Sequence, residues 1–280
     1  MQIQYGCTYW GSDALQPRDF VDQVLAAGYS GVEVLLQPPD SLSEAFVSAI
    51  GSVRNTRPDF FFIPMQITFP ERMTVDEYVR KMLQQYAAIA RLQPDFINAH
   101  TGRDYFSFDD NCRIIEAAQD FGAREGIRIV HETHRGRFSF HAAGLLPYLQ
   151  RFPELELAGD LSHFCTVSES MLEDQEEILA LIFPHITHIH ARVGFEQGPQ
   201  VNDPAAPEWR GHLDRFVHWW EQIISIRRAA GQKRMTITPE FGPAPYMPAA
   251  PYTREPLSNQ WECNLFMMKH LREQLLQEES

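Results

Sequence analysis

Apolar positions along the chain switch repeatedly between helical and strand spacing. Over 17–27, Phe20, Val21, Val24 and Leu25 share one helical face, opened by Pro17 at a first-turn position and closed by Gly28. The run from Gly31 to Leu36 then reads as a strand. A helix over 43–53 and a strand over 60–66 repeat the exchange. Thr74-Val-Asp-Glu77 is a capping-box sequence, and Tyr78, Val79, Met82, Leu83, Tyr86 and Ala90 follow it at helical spacing. Further strands are predicted over 96–100, 127–132, 155–160, 187–190 and 235–240, and further helices over 110–123, 142–151, 174–182, 213–229 and 259–276. With a first strand over 3–8, eight strands alternate with eight helices, which predicts an α/β protein: a single (β/α)8 TIM barrel spanning 1–280. An open doubly wound sheet also alternates, but eight units in this length favour closure.

Two stretches break the rhythm, 193–212 and 241–257, the second containing Pro243, Pro245, Pro248, Pro251 and Pro256. Long loops in a compact domain are more often functional than not, so both are read as lids or subunit contacts, which leaves a homo-oligomer open. No glycine-rich dinucleotide fingerprint or phosphate loop opens any helix, so no nucleotide cofactor is expected.

Composition narrows the partners. The chain of 280 residues is 44% hydrophobic, enough for one large core. Its 24 Lys and Arg against 37 Asp and Glu give a formal charge of −13, which disfavours nucleic acid and anionic membranes. Cys7, Cys112, Cys165 and Cys263 lack paired spacing, the start carries no basic or long apolar segment, and no apolar run is long enough to span a bilayer. A soluble cytoplasmic protein in a reducing compartment is expected.

Candidate chemistry sits at strand ends. Glu132, Asp160, His190 and Glu240 each close an apolar run, and successive strands of a barrel aim such side chains at one mouth. Buried carboxylates and an imidazole are costly without a positive partner, so convergence on a divalent cation is the economical reading. Three carboxylates and one imidazole form a hard, oxygen-rich set that suits Mn²⁺ foremost, then Mg²⁺ or Co²⁺, and the ligand type also admits Zn²⁺ or Fe²⁺.

At these residues the chain resembles the xylose isomerase-like barrel superfamily of sugar isomerases, ketose epimerases and apurinic-site endonucleases. The anchors are Val-His-Glu132, Gly-Asp160-Leu-Ser-His163, His188-Ile-His190 and Pro-Glu240-Phe, and the likeness in architecture covers nearly the whole chain. The resemblance implies that Glu132, Asp160, His190 and Glu240 hold one metal ion and that His163 faces the substrate or a second metal. It also implies that Glu132 and Glu240 flank a substrate carbon and move its proton through an enediolate. His100, in Asn-Ala-His100-Thr-Gly-Arg, resembles the histidine that the endonuclease branch uses for its second metal, and a substrate contact or a loop hydrogen bond fits it equally.

Other residues are weaker candidates. His134, Arg135 and Arg137 follow Glu132, and an arginine there fits a carboxylate or phosphate, although a loop arginine is more often a solvated ion-pair partner. Arg192 points the same way as His190 on an extended strand, Glu33 fits the barrel interior, and Trp10, Trp209, Tyr246 and Phe69 could wall a sugar ring. The expected enzyme is a metal-dependent isomerase or epimerase of a small sugar or keto-sugar. The alternatives are a lyase or dehydratase acting on a keto-sugar, ketoglycoside or cyclitol through the same proton abstraction, an endonuclease-like hydrolase, and a non-catalytic sugar-binding barrel. Charge, and the lack of an Asp-x-His pair after His190, count against the hydrolase; the complete ligand set counts against the non-enzyme.

Overall fold

A computed structural model describes residues 1–277, with side chains through Leu275. Eight parallel strands close into a barrel in sequence order: β1 Gln2–Thr8, β2 Gly31–Leu35, β3 Phe61–Ile67, β4 Ile97–His100, β5 Ile129–Glu132, β6 Leu157–Gly159, β7 Ile186–His190 and β8 Arg234–Thr238. Pairing of β1 with β8, Gln2 opposite Arg234, completes the closure. The helices between and after them are α1 Pro17–Ala26, α2 Ser41–Arg54, α3 Val75–Ala90, α4 Phe108–Glu125, α5 Ala142–Arg151, α6 Ser162–Ser168, α7 Glu176–Ile182, α8 Arg210–Ala229 and α9 Gln260–Gln277. The long loops after β7 and β8 are present as expected.

Local signals set the boundaries. The Thr74–Glu77 capping box forms at the start of α3, and Asp40 and Ser107 cap α2 and α4 by accepting from Ser43 N and Asp110 N. These caps start α2 and α4 two residues before the apolar periodicity does. Strand β8 stops at Thr238 rather than Glu240, because Pro239 has no N–H for the ladder. The sequence reading missed α6, a helix of 7 residues that begins two positions after Asp160 and carries His163. A helix this short shows too little periodicity to stand out.

Inside the barrel, Phe61, Ile63, Phe96, Val130 and Ala158 form an apolar plug. An added Cβ at Gly31 would lie 2.3 Å from the Phe61 ring and one at Gly6 2.8 Å, so these two strands give up side chains to admit that ring. The main core lies between strands and helices and includes Phe20, Phe46, Trp219, Trp220 and Met267. Among the described residues no helix is long and apolar enough to cross a membrane. The four cysteines are free and buried.

Candidate active site

The apolar plug fills the barrel from below, and polar side chains take over above it. Glu132 and His190 are the last residues of β5 and β7, Asp160 follows β6 directly, and Glu240 lies two residues beyond β8. All four are buried, and one ligand atom from each lies within 4.8 Å of the others. An ion about 2.0–2.4 Å from every donor would hold opposed donors roughly 4–5 Å apart, so this spacing fits a single cation. Two of the donors make no well-aligned hydrogen bond: His190 Nδ1 and Glu240 Oε2 are buried and face each other as an ion pair at 2.9 Å, with Arg192 Nη1 3.6 Å from the same carboxylate oxygen. Both hydrogen bonds to Glu132 fall on Oε2, from Asn98 Nδ2 at 2.9 Å and His100 Nε2 at 2.9 Å, which leaves Oε1.

The supports are short and specific. Thr133 Oγ1 donates to the Asp160 carbonyl and accepts from the Asp160 amide at 2.9 and 2.8 Å, tying the ends of β5 and β6 together. Asp160 Oδ1 accepts from the amide and hydroxyl of Ser162 at the start of α6, and its Oδ2 meets Arg192. Asn264 of α9 clamps both backbone atoms of Phe241, and Gln200 does the same for Gly242, so the chain beside Glu240 is held from two directions.

Below His190 lies Glu33. It accepts from His190 Nε2 at 3.0 Å, His188 Nε2 at 3.2 Å and Asn98 Nδ2 at 2.8 Å. The bond from Nε2 fixes the imidazole so that Nδ1 faces Glu132 and Glu240. Glu33 and Asn98 were legible only as polar interruptions: Glu33 in an otherwise apolar strand, Asn98 two residues before His100 on the same face.

Burial and neighbouring charge pull the titrating groups apart. Burial raises Glu132, and it lifts Asp160 to about 6 against the pull of Arg192. At Glu33 and Glu240 burial is outweighed, by His190 and His188 at the first and by His190 and Arg192 at the second, so both carboxyls are lowered. His190 is driven up, against burial, by Glu240, Glu33 and Glu132. Burial holds His100 at about 4 and His163 well below its usual range, so both rings are neutral. His163 Nε2 then accepts from Arg192 Nη2 at 3.0 Å, and the His100 tautomer protonated on Nε2 donates to Glu132 while its Nδ1 faces Arg137.

A cavity of about 380 Å³ opens above these groups. Glu132, Glu240, His100, His134, Arg137 and Arg192 form its polar part, and Trp10, Tyr246, Met65, Ile67 and Phe69 are among its apolar lining. Of the residues expected near substrate, Trp10, His100 and Arg192 line it, as do Tyr246 and Phe69. Trp10 packs against the bare backbone of Gly242, where an added Cβ would lie 2.2 Å from its ring, and meets Tyr246 edge-on at 4.9 Å. His163 does not line the cavity: it is buried behind His134, ring to ring at 3.9 Å. Arg135 lies over the Tyr246 ring at 5.1 Å, outside the lining, and Arg137 takes the cavity position instead. Trp209 is away from the cavity, bonded to Asn202 in the loop after β7.

The two long loops differ from the pair of lids that the sequence suggested. The loop after β8 contributes Tyr246 to the cavity wall; the loop after β7 contributes nothing beyond Arg192 and braces the other through Gln200. Loops after β1, β3 and β5 supply more of the rim through Asp13, Phe69, His134 and Arg137, and the first turn of α2 adds Leu42.

No family model matches the chain, and no curated protein matches it in sequence. Solved structures do. A 3-keto-D-glucoside 4-epimerase from E. coli, YcjR in its apo form, aligns with a TM-score of 0.64 at 12% identity, covering 97% of this chain and 100% of its own. The probable 3-DHS dehydratase AsbF of petrobactin synthesis from Bacillus anthracis aligns at 0.60 and 14% identity, over 96% and 98%. A xylose isomerase-like TIM barrel protein from Mycobacterium smegmatis in complex with magnesium aligns at 0.59 and 14% identity, over 96% of each chain. This chain thus shares the (β/α)8 barrel fold of these proteins.

Proposed function

We propose that the protein is a divalent-metal-dependent isomerase or epimerase of a small sugar or keto-sugar. The observation that carries this reading is the convergence of Glu132, Asp160, His190 and Glu240, all buried, with one ligand atom from each within 4.8 Å of the others. Such donors are costly to bury and suit a hard divalent ion, Mn²⁺ or Mg²⁺ by ligand type. When bound, the ion supplies fixed positive charge for the negative charge that develops on substrate oxygen. Glu132 and Glu240 both border the cavity, so a carbon held between them can lose a proton to one carboxylate and regain one from the other. Loss of a proton next to a carbonyl gives an enediolate, and the face on which the proton returns decides between isomers. Arg192 sits against Asp160 and Glu240 and faces the cavity, placed to orient a substrate oxygen. Trp10 and Tyr246 offer flat walls for the ring, and the cavity volume of about 380 Å³ suits a molecule of monosaccharide size.

Likeness to a sugar epimerase supports this reading, and likeness to a probable dehydratase supports a variant in which the same proton loss is followed by departure of a β-hydroxyl. Product analysis separates the two. The test is incubation of the metal-analysed protein with ketoses and keto-glycosides in D₂O, followed by NMR. Deuterium at one substrate or product carbon, lost in Glu132→Gln and Glu240→Gln, is expected. Turnover that these variants retain would overturn the proposal.

A further inference from the structure

Among the described residues three arginines are buried, and two of them have strong partners. Arg192 pairs with Asp160, and Arg103 donates to the Thr68 carbonyl at 2.6 Å and lies over the Tyr78 ring. Arg137 differs. It is 7% exposed and lines the cavity, and like Arg103 it makes no ion pair among the described residues, but it lacks the short carbonyl bond that holds Arg103. Its Nε has no hydrogen-bond partner, and its one side-chain bond is a long contact of 3.4 Å from Nη2 to His100 Nδ1. A guanidinium taken out of water without an anion is costly, and it persists where its counter-charge arrives with a ligand.

From this unsatisfied guanidinium, facing the same cavity as Glu132 and Glu240, we propose that the substrate carries a carboxylate and that Arg137 binds it. The inference rests on the catalytic reading above and narrows it to acidic sugars, such as uronates and keto-acids of that size. The planar fork of Arg137 matches a carboxylate at two points, whereas a phosphate dianion usually draws on several donors or a run of backbone amides. Apolar Met65, Ile67 and Phe69 share this cavity, and its other arginine, Arg192, is already engaged by Asp160. His100 joins Arg137 to Glu132, so the acid group binds one imidazole away from a proton-transferring carboxylate. The substrate is therefore short.

The probes are three ketohexoses that differ only at carbon 6: D-fructose, D-fructuronate and D-fructose 6-phosphate, titrated calorimetrically into magnesium-loaded protein. Fructuronate is expected to bind at least about tenfold more tightly than fructose, the scale of a charge-assisted hydrogen-bonded pair. Arg137→Met should erase that preference with metal content unchanged. Arg137→Lys, which keeps the charge without the fork, should retain part of it and carries the test if the Met variant does not fold. Equal binding of acid and neutral sugar, no measurable binding of fructuronate, tighter binding of the phosphate, or a preference that survives both substitutions would overturn the proposal. Its failure is distinguishable from failure of the catalytic reading: deuterium exchange into neutral ketoses with no acid preference removes only the acid, and Arg137-dependent binding of fructuronate without exchange removes only the chemistry.

Discussion

At its amino end the barrel holds the larger cavity, about 510 Å³, lined by Phe96, Arg128, Glu156, Arg227 and Arg234 among others; the cavity at the carboxyl end measures about 380 Å³. Both ends are rich in charge. At the amino end the charges are half in water and matched: Arg128 and Glu156 pair with side chains 47% and 32% exposed, Arg234 reaches Asp95 at 3.1 Å, and Arg227 donates to the Pro184 carbonyl. At the carboxyl end Glu33, Glu132, Asp160 and His190 are essentially without solvent, like charges crowd together, and His190 Nδ1, Glu240 Oε2 and Arg137 Nε make no well-aligned hydrogen bond. Solvated, matched charge requires nothing more to be stable. Desolvated, mismatched charge is kept where function needs it, which is why the smaller cavity is the candidate site.

The sharpest way to break this contrast is to neutralise one charge at each end. Glu132→Gln or Glu240→Gln should lower kcat by about 10²–10⁴-fold, the usual worth of a positioned acid or base. Glu156→Gln at the amino end should leave kcat/KM within about twofold, because surface pairs there touch no reacting group. A comparable loss from Glu156→Gln would remove the distinction between the ends.

A second effect is thermal. Saturating Mn²⁺ at about 100 times its Kd should stabilise the fold by about 2.7 kcal/mol, which for a chain of this size is a rise in Tm of roughly 5–10 °C by calorimetry. His190→Ala should abolish the rise, and Arg128→Ala should leave it intact. A third prediction addresses the support beneath the site. Glu33→Gln keeps an acceptor for only one of the two histidines and should weaken Mn²⁺ binding by about 10–100-fold in an equilibrium titration. Unchanged affinity would show that Glu33 merely fills the barrel. The smallest effect belongs to Arg128→Ala, expected to cost about 1 kcal/mol or less of stability by denaturant titration.

The alternation of periods made the barrel legible, because a strand and a helix of ordinary length each fit their own spacing. What escaped was short or long-range. Helix α6 has too few residues to show a period, and β8 ends at a proline that only the ladder makes decisive. Glu132, Asp160, His190 and Glu240 stood out because each ends an apolar run, and the fold gathers all four. Glu33 and Asn98 did not, because their meaning lies in what stands across the barrel, 157 and 92 residues away along the chain at His190. The choice between Arg135 and Arg137 depended on the path of one loop, and the assignment of lids on which loop overhangs the mouth, neither of which periodicity encodes.

The central claim is that the carboxyl-end cluster is a metal-dependent catalytic centre, and anomalous X-ray diffraction from crystals grown with Mn²⁺ tests it most directly. The account predicts one strong peak within about 2.5 Å of donor atoms from Glu132, Asp160, His190 and Glu240. A fully occupied peak elsewhere, with none at this cluster, would contradict it.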